Sequence, residues 1–243
     1  MAAHVIQTDP AGTVAALADV LVARAADAVQ QRGVCHIALS GGSTPEQLYR
    51  LLASTEWSVR FQWPAIQLWL GDERCVPADH AESNYRMVQS SLIDRMGSNA
   101  PPLHRVRTEL GAEAAAVDYQ RRLLAHLPAS QHIPRFDIIL LGLGMDGHTA
   151  SLFPDTAVLH ERERLVSAVA SPQLARARIT FTYPLINAGR AVYFLVTGAE
   201  KAPVVAQLLG PSAINTRFPA AHIAPAGELC WYLDQPAASE LPS

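Results

Sequence analysis

The glycine-rich stretch at residues 136–154 (FDIILLGLGMDGHTASLFP) constrains the fold of this chain more than any other. It opens with an apolar run at 138–141 that shows no alternation, which is typical of a parallel strand buried on both faces. Three glycines permit a sharp turn after this strand: Gly142, Gly144 and Gly147. The turn places Asp146 and His148 just past the carboxyl end of the strand, where open α/β sheets bind their ligands.

Strands and helices alternate along most of the chain. Further strands are predicted at 34–39, 66–70, 165–169, 178–182, 191–196 and 229–233, and helices at 9–32, 112–127 and 199–209. This order predicts an α/β fold, a three-layer sandwich with a mostly parallel, Rossmann-like central sheet. We expect a single domain over residues 1–243, with a frayed tail at 235–243 that is rich in Pro, Ser and Ala.

Composition excludes several classes of protein. The formal net charge is -3 without any block of like charges, so we expect neither nucleic acid nor a membrane surface as a partner. The three cysteines lack CxxC spacing, which argues against a disulfide framework and fits a reducing cytoplasm. The first ten residues lack the pattern of a secretory signal, and no stretch approaches the roughly 18 apolar residues of a membrane span. We therefore expect a cytoplasmic protein.

A second glycine-rich turn follows the strand at 34–39. It reads SGGSTP at residues 40–45 and leads into an apolar-periodic helix, with Thr44 as the predicted N-cap and Pro45 as the first helical residue. Such a turn gathers free backbone N–H groups at the positive end of a helix dipole. The sequence therefore predicts an anion-binding site there.

Charged residues lie at other strand ends and each has a plain structural alternative. Asp72 and Arg74 follow the strand at 66–70, but they are also compatible with pairing to each other or with capping a helix. Arg178 alternates with apolar neighbours and is compatible with a solvent-facing position on a strand. Lys201 is the single lysine of the chain and stands near a helix start, where a cation is unfavourable unless an anion binds.

Three other motifs match poorly. The spacing of Gly142, Gly144 and Gly147 fits a dinucleotide fingerprint, but Pro154 leaves room for only about two helical turns. Ser40 lacks the first glycine of a nucleophile elbow. No HxH or HExxH pattern indicates a metal site. His148 stands beside Asp146 and near apolar side chains, which suits a general base, and a purely structural histidine is the equally open alternative.

Seven ordered motifs span nearly the whole chain. They are SGGSTP at 40–45, GDERCVP at 71–77, SNY at 83–85, GLGMDGHTASLFP at 142–154, RITFT at 178–182, VTGAEKA at 196–202 and CWYLD at 230–234. Together they resemble the 6-phosphogluconolactonase family. The related glucosamine-6-phosphate deaminases share the first turn and the DGH segment, but the DERCVP and TASLFP segments favour the lactonases. Ala177 departs from the family pattern, which has proline before Arg178.

The resemblance implies hydrolysis of 6-phospho-D-glucono-1,5-lactone to 6-phospho-D-gluconate, the second step of the oxidative pentose phosphate pathway, without metal or cofactor. It implies that His148 activates water, that Arg74 stabilises the oxyanion, and that Asp146 or Asp72 orients the histidine or the water. The implied phosphate-binding residues are Gly41, Gly42, Ser43, Thr44, Arg178 and Lys201. The expected partner is a small phosphosugar lactone, and the expected assembly is a monomer or weak homodimer.

Two alternatives remain open from the sequence. A glucosamine-6-phosphate deaminase-like isomerase would use the same phosphate turn and release ammonia. A non-catalytic sugar-phosphate-binding module would bind ligand without turnover, but the residues before Val34 are too few for the DNA-binding helix-turn-helix that such modules carry.

Overall fold

A computed structural model describes residues 3–127, 129–130, 133–171, 174–210 and 217–242. Its strands are β1 (Ala3–Gln7), β2 (Cys35–Leu39), β3 (Ile66–Leu70), β4 (Asp72–Arg74), β5 (Leu103–His104), β6 (Ala129–Ser130), β7 (Ile133–Pro134), β8 (Ile138–Leu141), β9 (Val166–Val169), β10 (Arg178–Phe181), β11 (Ala191–Val196) and β12 (Glu228–Asp234). The central sheet has the order β1-β12-β11-β8-β2-β3-β5, and every pair of neighbours in it is parallel.

Helices cover both faces of this sheet. They are α1 (Pro10–Arg32), α2 (Ser43–Leu52), α3 (Thr55–Ser58), α4 (Asn84–Val88), α5 (Asp94–Met96), α6 (Ala112–His126), α7 (Tyr183–Asn187) and α8 (Ala202–Leu209), with a π-helical turn at Gln89–Ile93 between α4 and α5. Alternate strand residues belong to two hydrophobic clusters, Ile138 with α1 and α2, Ile139 with α6, α7 and α8. The predicted three-layer α/β sandwich is confirmed, and the shared sheet supports our proposal of a single domain.

The longest helix, α1, shows how the local sequence specifies its bounds. The side chain of Asp9 accepts a hydrogen bond from the Gly12 N–H at 2.8 Å, and Pro10 occupies the first turn, where its missing N–H costs nothing. Gly33 ends the helix with a φ of 75°, a left-handed conformation that glycine adopts without strain. Between these caps, one stripe is buried against the sheet and contains Val14, Leu17, Leu21, Ala25 and Ala28.

A second sheet was not anticipated from the sequence. Strands β4, β10 and β9 form a separate antiparallel sheet, in which Arg178 pairs with Arg74 and Thr180 with Asp72. The carbonyl of Ala177 continues this pairing by accepting the Cys75 N–H at 2.9 Å. All three residues of β4 are charged, so the sequence contains no hydrophobic periodicity that would predict this strand. Strands β1 and β5 were missed as well.

The segment after β12 packs on the core. We expected residues 235–243 to be frayed, but Ala237 is fully buried and the Gln235 N–H donates to the Gln7 carbonyl at 2.8 Å. The small side chains of this segment allow it to pack closely. The composition alone had indicated a flexible tail. The expectation is therefore wrong for residues 235–242, and residue 243 lies outside the described residues.

A buried aromatic cluster around Trp69 predicts acid sensitivity of the fold. The ring of His104 stacks on Trp69 at 3.8 Å between centroids, and the Trp69 Nε1–H donates to His36 Nδ1 at 3.2 Å. Burial and then the neighbouring His126 lower the pKa of His104 to about 4 from its usual 6.5, and burial also lowers the pKa of His36. The unfolded chain takes up these protons near pH 6.5, so stability is fully present above that pH and falls as pH drops toward 4.

We expect the melting temperature to decrease progressively below about pH 6.5 in circular-dichroism melts. His104→Phe keeps a ring on Trp69 without a titrating group, so its melting temperature should depend less steeply on pH. His4→Gln, at an exposed position on β1, should keep the parent slope. Equal slopes in His104→Phe and the parent would show that His104 is not the cause.

Candidate active site

Four of the strand ends meet at one cavity of about 320 Å³. The turns after β2, β8 and β11 line it, together with residues of β4. Eight of the predicted site residues line this cavity, namely Gly41, Gly42, Ser43, Thr44, Asp72, Arg74, His148 and Lys201. Asp146 and Arg178 are not among its lining residues. The parallel strands thus bring together motifs that are up to 160 positions apart, from Gly41 to Lys201.

Asp146 is the carboxylate that contacts the candidate general base. His148 Nδ1 lies 2.6 Å from Asp146 Oδ1, and the His148 N–H donates to the same oxygen at 3.2 Å. Partial burial opposes ionisation of Asp146, but the attraction and hydrogen bonds of His148 outweigh it and lower the pKa of Asp146. With Nδ1 donating to this carboxylate, Nε2 is the ring nitrogen left to accept a proton. Asp72, the alternative partner in the sequence analysis, is hydrogen-bonded elsewhere.

The glycine-rich turn holds His148 tightly. The Gly144 N–H donates to the His148 carbonyl at 2.8 Å, and Gly147 has a φ of 75°. A Cβ at Gly144 would collide with His148 Nδ1 and with the Asp146 carboxylate. The ring of Phe153 lies 4.3 Å from that of His148 between centroids and supports it from the side. Gly144 is therefore required by close approach, since no side chain fits there.

Gly144→Ala should lower turnover by roughly tenfold to a hundredfold, because a small displacement of a catalytic pair costs that much. The three atoms nearest to the added methyl all belong to the His148–Asp146 pair, so this pair must move to make room for it. The measurement is kcat together with a thermal melt. Gly12→Ala is the matched control. Gly12 lies in α1, and a Cβ there would meet its nearest atoms at 3.5 Å, which is an ordinary contact distance. Full activity in Gly144→Ala would show that the pair tolerates displacement.

Asp72 is a buried carboxylate fixed by two side chains that the sequence analysis did not assign. Ser151 Oγ donates to Asp72 Oδ2 at 2.7 Å, and Asn84 Nδ2 lies 3.0 Å from the Asp72 carbonyl and 3.3 Å from Oδ1. The Asn84 amide also packs on Gly41, where a Cβ would collide with it. Both residues stand inside motifs quoted above, SNY and TASLFP, which was the available signal. Asn84 thus joins Asp72 to the glycine turn.

Glu73 anchors the next helix to β4. Its two carboxylate oxygens accept the Arg74, Asn84 and Tyr85 N–H groups at 2.7–2.8 Å and the Ser83 hydroxyl at 3.0 Å. Burial raises the pKa of Glu73, although these donors oppose the shift. Because side chains alternate along a strand, Glu73 points away from the face that carries Asp72 and Arg74. The order Asp-Glu-Arg therefore provides two cavity residues and one structural anchor.

The anion-binding turn has its free N–H groups at the start of α2. The helix begins at Ser43 with Gly42 as N-cap at a φ of 108°, so the prediction of Thr44 as N-cap and Pro45 as first helical residue was wrong. The cap makes no side-chain hydrogen bond to the helix, which leaves the first N–H groups available to an anion. Thr44 Oγ1 lies 2.9 Å from Thr197 Oγ1, and both residues line the cavity.

Arg178 lies beside Arg74 on the neighbouring strand and is not among the residues that line the cavity. The two are register partners in the antiparallel sheet, and the Nε of each is buried without a hydrogen-bond partner in the described residues. Burial and then the charge of Arg74 lower the pKa of Arg178. Arg74 Nη1 donates to the Glu82 carbonyl at 2.6 Å. The role of Arg178 in binding phosphate therefore stays a prediction.

A larger cavity of about 1300 Å³ lies on the other side of Asp146, between segment 154–162 and residues 217–222. It contains neither the glycine turn nor Lys201. The smaller cavity is the candidate active site, because it holds His148, the anion turn and both Asp72 and Arg74 of β4. Within the described ranges, no group of three His, Cys, Asp or Glu side chains is arranged to hold a metal ion, and no helix is long and apolar enough to cross a membrane.

Comparison with known proteins gives consistent matches. The family profile described as glucosamine-6-phosphate isomerases/6-phosphogluconolactonase matches residues 8–231. The 6-phosphogluconolactonase of Nostoc sp. is 40% identical over 235 residues, covering 96% of this chain and 95% of that protein. The Homo sapiens 6-phosphogluconolactonase is 41% identical, covering 90% and 88%. The solved structure of 6-phosphogluconolactonase from Leishmania guyanensis has a TM-score of 0.89 at 29% identity, covering 100% of both chains. That of Trypanosoma brucei has a TM-score of 0.87 at 29% identity, covering 100% and 99%.

Proposed function

This chain belongs to the glucosamine-6-phosphate isomerase/6-phosphogluconolactonase family, and we propose that it hydrolyses 6-phospho-D-glucono-1,5-lactone to 6-phospho-D-gluconate. This is the second step of the oxidative pentose phosphate pathway. The observation that carries the proposal is one cavity with a carboxylate-oriented histidine and an uncapped helix N-terminus beside a lysine. The first suits activation of water and the second suits a phosphate.

The proton steps follow from the geometry of His148. Its Nε2 accepts a proton as water attacks the lactone carbonyl, and a tetrahedral oxyanion forms. Arg74, the arginine that lines the cavity, stabilises this charge, a contribution typically worth a few kcal/mol in a site that excludes water. The bond from the carbonyl carbon to the ring oxygen then breaks, and that oxygen takes the proton from the imidazolium. Asp146 keeps the ring oriented and stabilises its charged form.

The substrate phosphate binds at the other end of the cavity. The N–H groups of the Gly41–Thr44 turn and the start of α2 provide donors and a positive dipole. Lys201 lines the same cavity and supplies a charge-assisted hydrogen bond. Arg178 contributes a second positive charge from beside Arg74, and its Nε, which has no hydrogen-bond partner in the described residues, supports this role.

Asp72 acts on the substrate or the water. Its carboxylate lines the cavity and is held by Ser151 and Asn84, so its orientation is fixed before a ligand arrives. A fixed, buried acceptor suits a hydroxyl group of the sugar or the attacking water. It does not contact His148, whose carboxylate partner is Asp146.

The test generates the lactone in situ from glucose 6-phosphate and its dehydrogenase and follows formation of 6-phosphogluconate. We expect the purified protein to accelerate the reaction well above the spontaneous rate. No acceleration by a folded protein would contradict the proposal. Ammonia release from glucosamine 6-phosphate would then indicate the deaminase-like activity, and binding of 6-phosphogluconate without turnover would indicate a non-catalytic module.

We further propose a cytoplasmic location, a monomer or weak homodimer, and neither nucleic acid nor membrane as a partner.

A further inference from the structure

The last strand, β12, ends in a buried carboxylate that the proposed reaction does not use. Asp234 is 0% exposed, and both of its carboxylate oxygens lie 3.1 Å from the Gly198 N–H. Oδ1 also accepts the Ala237 N–H at 2.8 Å. These partners in the described part of the chain are backbone groups, so Asp234 ties together the turn after β11 and the segment after β12.

The turn that Asp234 holds forms one wall of the phosphate end of the cavity. Gly198 has a φ of 102°, and its carbonyl accepts the Lys201 N–H at 3.0 Å. The residue before it, Thr197, bonds Thr44 of the glycine turn at 2.9 Å between hydroxyl oxygens. Thr197 and Lys201 both line the cavity. A single buried carboxylate thus fixes the backbone between the two.

We propose that Asp234 is a positioning residue for the phosphate site, acting through Gly198 on Thr197 and Lys201. The inference rests on the proposed phosphate-binding end of the cavity, but it does not require lactone hydrolysis itself. A buried N–H without an acceptor is costly, so loss of the carboxylate lets the Gly198 turn rearrange toward other acceptors. The phosphate then loses donors that were preorganised for it, whereas His148 on β8 keeps its partner Asp146.

Asp234→Asn tests this with almost no change of volume. An amide oxygen can replace Oδ1, but the negative charge is lost. The NH₂ that replaces Oδ2 faces the Gly198 N–H, so two donors oppose each other there. We expect KM for the phosphorylated lactone to rise by roughly tenfold with kcat changed less than about twofold, since the loss is in binding. Titration of inorganic phosphate followed by ³¹P NMR should show a similar rise in Kd.

Asp137→Asn is the matched control. Asp137 is also buried, accepts the His36 N–H at 2.8 Å and pairs with Arg32, but it precedes β8 at the opposite end of the sheet. It should lower the melting temperature without raising KM or the phosphate Kd. Gly198→Ala is a second variant in case Asp234→Asn does not fold. Its Cβ would collide with the Glu200 carboxylate at a φ of 102°, so it disturbs the same turn and should raise both constants.

A folded Asp234→Asn protein with the parent KM and phosphate Kd would overturn the inference. So would an Asp137→Asn protein whose KM rises as much, since the effect would then follow any loss of a buried carboxylate. A parent protein that does not bind inorganic phosphate would overturn it too. The parent could bind phosphate, with the expected rise in Kd in Asp234→Asn, and yet not hydrolyse the lactone. That result would support this inference and contradict the proposed function.

Discussion

Replacing His148 with alanine should lower kcat for the lactone by roughly a hundredfold or more, which is the usual contribution of a positioned general base. His148 lines the cavity, and its Nδ1 lies 2.6 Å from the Asp146 carboxylate. Nε2 is therefore the ring nitrogen that can accept a proton from water. Removing it eliminates both the acceptance of the water proton and its return to the ring oxygen. The measurement is kcat in the coupled assay after subtraction of the spontaneous rate.

The fold should survive this change. His148 is partly exposed, and the Gly144 bond that defines the turn goes to its backbone carbonyl, which alanine keeps. His160→Ala, at an exposed histidine outside the small cavity, is the matched control and should retain parent kcat. Near-normal turnover in His148→Ala would remove this residue from the mechanism. Loss of activity in His160→Ala as well would point to a general effect of removing histidines.

The position of the site could be predicted because it depends on the order of elements. Glycine turns at the ends of buried strands are visible in the sequence, and parallel strands direct their carboxyl ends to one edge of the sheet. Gly41, His148 and Lys201 were therefore expected near one another, and the structure places all three on one cavity. The apolar runs of the buried strands and the long first helix could equally be predicted from the sequence.

The hydrogen-bond partners of the site residues could not be predicted from the sequence, because they depend on tertiary packing. Whether Asp146 or Asp72 contacts His148 is decided by the φ of Gly147 and by Ser151, which engages Asp72 instead. Strand β4 carries three charged residues and forms a sheet only through its partner β10, so no local pattern could reveal it. Asp234 directly follows the strand predicted at 229–233, and its hydrogen bond to Gly198 depends on the pairing of β11 with β12, which the sequence does not show.

Replacing Lys201 with methionine should lower kcat/KM for the phosphorylated lactone by roughly tenfold to a hundredfold, mostly through KM. A hydrogen bond to a charged group is worth about 1.5–3 kcal/mol, which corresponds to a loss of that size. Methionine keeps an unbranched stem and removes the ammonium, so the change isolates the charge. Because Lys201 is the single lysine in the chain, reductive methylation alters side chains only here, and inorganic phosphate should slow its modification.

Glu200→Gln is the control that separates the specific contact from the general field of the cavity. Glu200 lines the same cavity and is exposed, and its negative charge disfavours a bound phosphate. Neutralising it should leave KM unchanged or lower it, whereas Lys201→Met raises it. If both substitutions shift KM by equal and opposite small amounts, the lysine acts only through long-range charge, and raising the salt concentration should then abolish both effects. A loss in Lys201→Met that persists at high salt, with kcat retained, identifies a direct contact with the phosphate, because a buried charge-assisted bond is screened far less than an exposed field.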